Sequence, residues 1–108
     1  MKELNAVITG IAANVPDDIL TNDDIAQLVD TSDEWITTRV GIKERHILKG
    51  ESKGVSHMGS KAVAELLSKT NTSPDDVDII IFATTTPDHV FPSAASMVAE
   101  SNNIKKAF

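Results

Sequence analysis

The 108-residue chain has no cysteine and no tyrosine, only one tryptophan and only three phenylalanines. Without cysteine there can be no disulfide frame and no thiolate metal site, which suits the cytoplasm. No thiolate nucleophile is available either. Basic residues are in the minority. Ten Lys and Arg stand against sixteen Asp and Glu, for a formal net charge of -6. A broad nucleic-acid footprint needs a basic face, so the balance argues against that class of partner. Binding of one anionic small molecule by one or two local arginines stays open. No apolar run approaches the roughly 20 residues that span a bilayer. Met1-Lys2-Glu3-Leu4-Asn5 lacks the apolar centre of a secretion signal. GxGxxG, phosphate-loop and GxSxG motifs are all missing, as is any internal repeat.

What is there reads as an α/β pattern of one modest globular domain. Residues 6–15 (AVITGIAANV) read as a strand, with Gly10 at a bend or close backbone approach. Pro16-Asp17-Asp18 reads as a turn. Thr21-Asn22-Asp23-Asp24 starts a helix, with Ile25, Leu28 and Val29 at helical spacing. Thr31 and Glu34 have the spacing of a capping box for a second short helix bearing Trp35, Ile36 and Arg39, which Gly41 stops. Residues 43–48 suit a short edge strand or loop, and residues 49–54 a polar loop. Residues 55–69 form an amphipathic helix whose small residues allow close packing on a sheet. A loop with one helical turn from Pro74 follows.

The stretch from Ala83 to Ala95 organises the chain. Before it, residues 77–83 (VDIIIFA) run together as apolar side chains, the pattern of a strand buried on both faces. After it, residues 92–101 read as a helix packing Ala94, Ala95, Val98 and Ala99, and residues 104–108 begin another strand. A doubly covered strand needs neighbours on both edges. Two clear apolar strands are thin cover for it, so the chain is expected to be an incomplete piece of a larger fold.

Few residues suggest chemistry. His46, His57 and His89 lack metal-ligand spacing with one another, and each reads as a surface or structural histidine. His89 stands out slightly, lying in the turn after the buried strand, where α/β proteins place ligands. Ser93 and Ser96 have no obvious base, and no nucleophile with its base and oxyanion hole can be assembled. Thr31, Trp35 and Arg39 are spaced i, i+4, i+8, one stripe on a helix. An indole beside a guanidinium suits a nucleotide, with the ring on a base and the fork on a phosphate. By pattern alone, a half-buried Trp35 and a solvated Arg39 is the preferred reading. Phe91 reads equally as a core residue or as a side chain projecting from its loop.

Three segments closely resemble the N-terminal part of bacterial β-ketoacyl-[acyl-carrier-protein] synthase III, a thiolase-fold condensing enzyme. They are residues 29–36 (VDTSDEWI), residues 38–47 (TRVGIKERHI) and residues 83–95 (ATTTPDHVFPSAA). The resemblance runs over essentially all of residues 1–108, about the first third of such an enzyme. It implies the N-terminal portion of the first thiolase-like half, a layered α/β fold with a mixed sheet, incomplete in this chain. It implies that an acyl-CoA primer acylates a cysteine, and that decarboxylated malonyl-acyl-carrier protein then attacks the thioester to start fatty-acid synthesis. The family's catalytic cysteine, histidine and asparagine would lie outside residues 1–108, leaving this piece inactive alone and with no cofactor beyond the coenzyme A thioester substrate. Residue by residue, Trp35 matches the tryptophan that stacks on adenine, Arg39 the arginine near the coenzyme A phosphates, and Thr31 a threonine contacting adenine. This reverses the preference reached by pattern alone. A Thr31 hydroxyl used as a helix cap would be less free to serve the base. Phe91 matches a phenylalanine that crosses the dimer interface and shapes the partner's acyl pocket. The implied partners are acyl-CoA, malonyl-acyl-carrier protein, the remaining part of the same enzyme and a second copy. The competing readings are a thiolase-fold acyl-CoA condensing enzyme of secondary metabolism and a non-catalytic coenzyme A-binding or interaction module.

Overall fold

The computed structural model describes residues 5–50 and 53–108. The N-terminal four residues and the middle of the 49–54 loop lie outside those described. The chain forms two compact units, Val15–Lys53 and Met1–Asn14 with Gly54–Phe108.

In the Val15–Lys53 unit, strand β1 (Asp18–Thr21) pairs antiparallel with β2 (Glu44–Ile47), from Asp18 opposite Ile47 to Thr21 opposite Glu44. The 43–48 segment is thus a strand, and its partner begins inside the expected 16–18 turn. Four residues are too few to show an alternation, and the pairing defines β1. Thr21 ends β1 and caps helix α1 (Asn22–Ala26). Its hydroxyl accepts the Asp24 N–H at 3.1 Å, and the Asp24 carboxylate accepts the Thr21 N–H at 2.9 Å. This is a capping box, one helix earlier than expected. The Thr21 hydroxyl, and then the Thr21 N–H, hold the Asp24 carboxyl below its ordinary pKa. Helix α1 stops at Ala26, so Leu28 and Val29 are exposed rather than on its apolar face.

Helix α2 (Asp33–Val40) is capped by Ser32, not Thr31. The Ser32 hydroxyl accepts the Trp35 N–H at 3.1 Å. Glu34 then falls one residue short of the position from which a capping box closes. Gly41, at φ 71°, ends the helix in the left-handed conformation that favours glycine, as its place in the sequence implies.

In the other unit, helix α3 (Val55–Thr70) packs with α4 (Ala94–Ser101), and Ser93 caps α4. Val98 is fully buried between them, with Ala94 and Ile104 nearby in the core. The Asn102 amide ties α4 back to α3, donating to the Ser60 carbonyl at 3.2 Å. A 3₁₀ turn at Pro74–Asp76 forms where Pro74 suggests it. Gly10 makes the expected close approach. A Cβ there would lie 2.3 Å from Thr70 Cγ2.

Two strand expectations are corrected. Residues 6–15 form no ladder, and Val7 and Ile8 are largely exposed. Residues 77–83 are likewise no assigned strand. Phe82 turns inward onto Gly59, but Ile79 and Ile81 are open to solvent. A strand buried on both faces needs neighbours on both, and no described residues cover the second. One parallel step is present all the same. The Ile80 N–H donates to the Phe108 carbonyl, and the Phe108 N–H to the Asp78 carbonyl, each at 2.9 Å. The 104–108 segment therefore aligns beside 77–83 as its sequence suggests.

The N-terminus of α3 is capped from afar. Gly54 has no side chain to offer, and the Asp88 carboxylate accepts the Ser56 N–H at 2.9 Å instead. Only glycine fits at 54, since a Cβ there would lie 1.5 Å from Asp88 Oδ1. Partial burial pushes the Asp88 pKa up. The Ser56 N–H and hydroxyl, with smaller help from the charge on His89, outweigh it and leave the carboxyl below its ordinary value. The cap therefore contributes fully above the ordinary aspartate pKa near 4, and is lost as pH falls through the lower folded value. Asp88→Ala is expected to destabilise the chain by about 1 kcal/mol near neutral pH. In thermal melts across pH, its gap from the parent chain should close only in acid.

Candidate functional site

Helix α2 carries the site, and its rotation decides what the site is. Successive residues turn by about 100°, so Trp35 and Arg39 share one side, roughly 200° from Asp33 and Thr37. Ile36 is the one buried residue of the helix. Asp33 and Thr37 face Asn22 at the start of α1. The Asn22 amide donates to Asp33 Oδ1 at 2.7 Å and lies 3.4 Å from the Thr37 hydroxyl. Trp35 and Arg39 are thereby turned outward.

Trp35 is 56% exposed, and the Arg39 guanidinium lies over its ring, 4.5 Å from the centroid. At an exposed site such a cation–π contact contributes about 0.5–1 kcal/mol, enough to bias two side chains toward a shared geometry. Arg39 also sits in the last turn, where the helix dipole favours a cation. Ser32, Glu34 and Thr38 join the pair around an open cavity of about 390 Å³. A flat aromatic face, a forked cation and small hydroxyls in one concavity can hold a heteroaromatic ring carrying phosphate.

The sequence-derived residues do not all gather here. Trp35 and Arg39 do. Thr31 precedes the helix, so the three-residue stripe is in fact a pair, and Thr31 does not line the cavity. Its hydroxyl is not the helix cap, which removes the competition that a cap would impose. Phe91 belongs to the other unit, on the loop before α4, and is 89% exposed. It is therefore not packed in the core of that unit. His89 lines a separate cavity with Phe82, Thr84 and Pro87. His46 sits on β2 with Nδ1 2.6 Å from the Pro16 carbonyl, and His57 in the first turn of α3. Sequence reasoning missed Ser32 and Thr38, whose i−3 and i+3 spacing about Trp35 was the available signal. Among the described residues, no cluster of His, Asp or Glu could hold a metal ion. No helix among them is long and apolar enough to cross a membrane.

No family model matches the chain. It is 55% identical over 108 residues to beta-ketoacyl-[acyl-carrier-protein] synthase III 2 of Bacteroides thetaiotaomicron, covering all of this chain and 32% of that one. It is 53% identical, with the same coverage, to beta-ketoacyl-[acyl-carrier-protein] synthase III of Phocaeicola vulgatus. Among solved structures it superposes on 3-oxoacyl-[acyl-carrier-protein] synthase III of Aquifex aeolicus VF5 with a TM-score of 0.86 and 45% identity, covering 93% of this chain and 32% of that one. The helices and small sheet described above are thus part of a thiolase-like fold. The chain spans about a third of the length of the curated relatives it matches. Over its whole length, and for the third of the enzyme that it spans, the chain belongs with the β-ketoacyl-[acyl-carrier-protein] synthase III family.

Proposed function

We propose that this chain supplies the coenzyme A end of the acyl-CoA site in a β-ketoacyl-[acyl-carrier-protein] synthase III. What supports the reading is one observation above the others, the guanidinium of Arg39 lying over an exposed Trp35. Adenine stacks on the indole, the Arg39 fork takes a phosphate, and Thr31 approaches the base from the turn before the helix. Phe91 reaches a second copy of the enzyme and shapes its acyl pocket. The chemistry belongs to a cysteine thiolate, and residues 1–108 contain none. That thiolate takes the acyl group from acyl-CoA and releases the coenzyme A thiol. Malonyl-acyl-carrier protein loses carbon dioxide, and the resulting carbanion attacks the acyl–enzyme thioester. A new carbon–carbon bond forms and the thiolate leaves. The complete enzyme works as a cytoplasmic homodimer, and the chain alone is inactive.

Arg39→Lys is expected to weaken coenzyme A binding several-fold, because a planar fork becomes a point charge and the stack on Trp35 is lost. Calorimetric titration checks this, and wild-type affinity would remove Arg39 from the site. Native followed by denaturing mass spectrometry tests the larger reading. The 11.6 kDa chain should travel with a larger, cysteine-containing chain, and that complex should condense acyl-CoA with malonyl-acyl-carrier protein. A chain that travels alone and turns over both substrates would contradict it.

A further inference from the structure

Helix α2 has an unusual anchoring problem. It buries a single apolar side chain, Ile36. Apolar contact is non-directional, so one such residue does not fix the rotation of a helix about its axis. Yet the platform depends on that rotation. A turn of about 100°, one residue's worth, would carry Trp35 and Arg39 out of register with the cavity.

Directional bonds do the fixing, and they converge on Asn22, which is 1% exposed. Its amide nitrogen donates to Asp33 Oδ1 at 2.7 Å, in the first turn of α2, and to the Ile42 carbonyl at 2.8 Å, just past the Gly41 cap. The Thr37 hydroxyl stands 3.4 Å from the same nitrogen, one turn along from Asp33. The Asn22 side-chain oxygen accepts from Arg45 of β2 at 2.5 Å, and its backbone N–H donates to the Lys43 carbonyl at 3.2 Å. One primary amide thus holds both ends of α2 and ties them to the sheet. Both of its amide hydrogens and its oxygen are used.

We infer that Asn22 is a positioning residue for the acyl-CoA site, setting the azimuth of α2 so that Trp35 and Arg39 face the nucleotide. This rests on the coenzyme A reading above. Asn22 touches no ligand itself and acts through Asp33, Thr37 and Ile42. The residue type matters because donors and an acceptor are needed together. Aspartate has the same shape but cannot donate to the Ile42 carbonyl, and it sets a second carboxylate against Asp33.

The test titrates coenzyme A, and pantetheine as a control lacking the nucleotide, into the 108-residue chain by calorimetry. The chains compared are the parent, Asn22→Asp, the pair Asn22→Asp with Asp33→Asn, and Trp35→Ala. Asn22→Asp is expected to weaken coenzyme A binding about tenfold and to narrow the preference for coenzyme A over pantetheine. The paired exchange restores a donor facing residue 22 and should recover part of that preference. A purely structural role would lower both affinities in proportion to the folded fraction and leave their ratio alone, which overturns the inference. Should Asn22→Asp fail to fold, Asp33→Ala removes the 2.7 Å bond at an exposed position, and parent-like affinity in that variant also overturns it. The two failures are separable. If Trp35→Ala weakens coenzyme A and Asn22→Asp does not, Asn22 has no positioning role. If neither changes it, the coenzyme A reading falls and this inference with it.

Discussion

Trp35→Ala is expected to weaken coenzyme A binding by about 1–3 kcal/mol, the range for loss of one base–aromatic stack. That is roughly 5- to 150-fold in affinity. The loss should be one of binding and not of folding. Trp35 is 56% exposed, and Ile36 beside it carries the burial of α2. Melting of the variant should therefore stay close to that of the parent chain. A large drop in melting temperature with unchanged affinity would return Trp35 to the role of a packing residue. The variant also removes the ring over which Arg39 lies, so Arg39→Lys added to Trp35→Ala should cost less than it does alone. Such non-additivity would mark the two side chains as one platform.

Gly59→Leu is expected to destabilise the chain by about 1–3 kcal/mol, in the direction opposite to helix propensity. Gly59 lies inside α3, where glycine is about 1 kcal/mol worse than alanine. Propensity alone would have the substitution stabilise. But a Cβ at Gly59 would stand 2.5 Å from Phe82 Cε2 and 3.3 Å from Val98 Cγ2. Val98 is fully buried and has little room to yield. Phe82 would have to leave the helix, and the inward face of residues 77–83 would leave with it. Ala64→Leu on the exposed face of the same helix is the control and should change stability by less than about 0.5 kcal/mol. Thermal melts of the three chains decide it. Equal stability of Gly59→Leu and the parent would mean that Gly59 is not where α3 admits Phe82.

These predictions rest on features that differ in how visible they were. Local signals were legible. The start at Thr21, the stop at Gly41, the whole of α3 and the turn at Pro74 all follow from caps, periodicity and proline placement. The capping of α2 was not. Thr31 and Ser32 are equally good caps by composition, and the choice falls to Ser32 because it brings Asp33 and Thr37 against Asn22. That decision is made by one residue, Asn22, 11 positions before Asp33 and 15 before Thr37, and has no local trace. Strands were the least legible elements. Residues 6–15 and 77–83 have the right apolar content, but a strand is a property of a pair. The only ladder described joins Asp18–Thr21, first read in part as a turn, to Glu44–Ile47. Of the candidate site, Trp35 and Arg39 were legible through their i, i+4 spacing. Asn22 was not, since its bonds reach five separate points between Asp33 and Arg45, all more than ten residues further along the chain.

The central claim is that Trp35 and Arg39 receive the nucleotide of coenzyme A, and the composition offers a direct probe of it. Trp35 is the only tryptophan and there is no tyrosine, so ultraviolet emission of the chain reports on this one side chain. Titration with coenzyme A, with its 3′-phospho-ADP portion and with pantetheine should produce a saturable change in emission for the first two and none for the third. Emission unchanged by coenzyme A, or changed equally by pantetheine, would contradict the account.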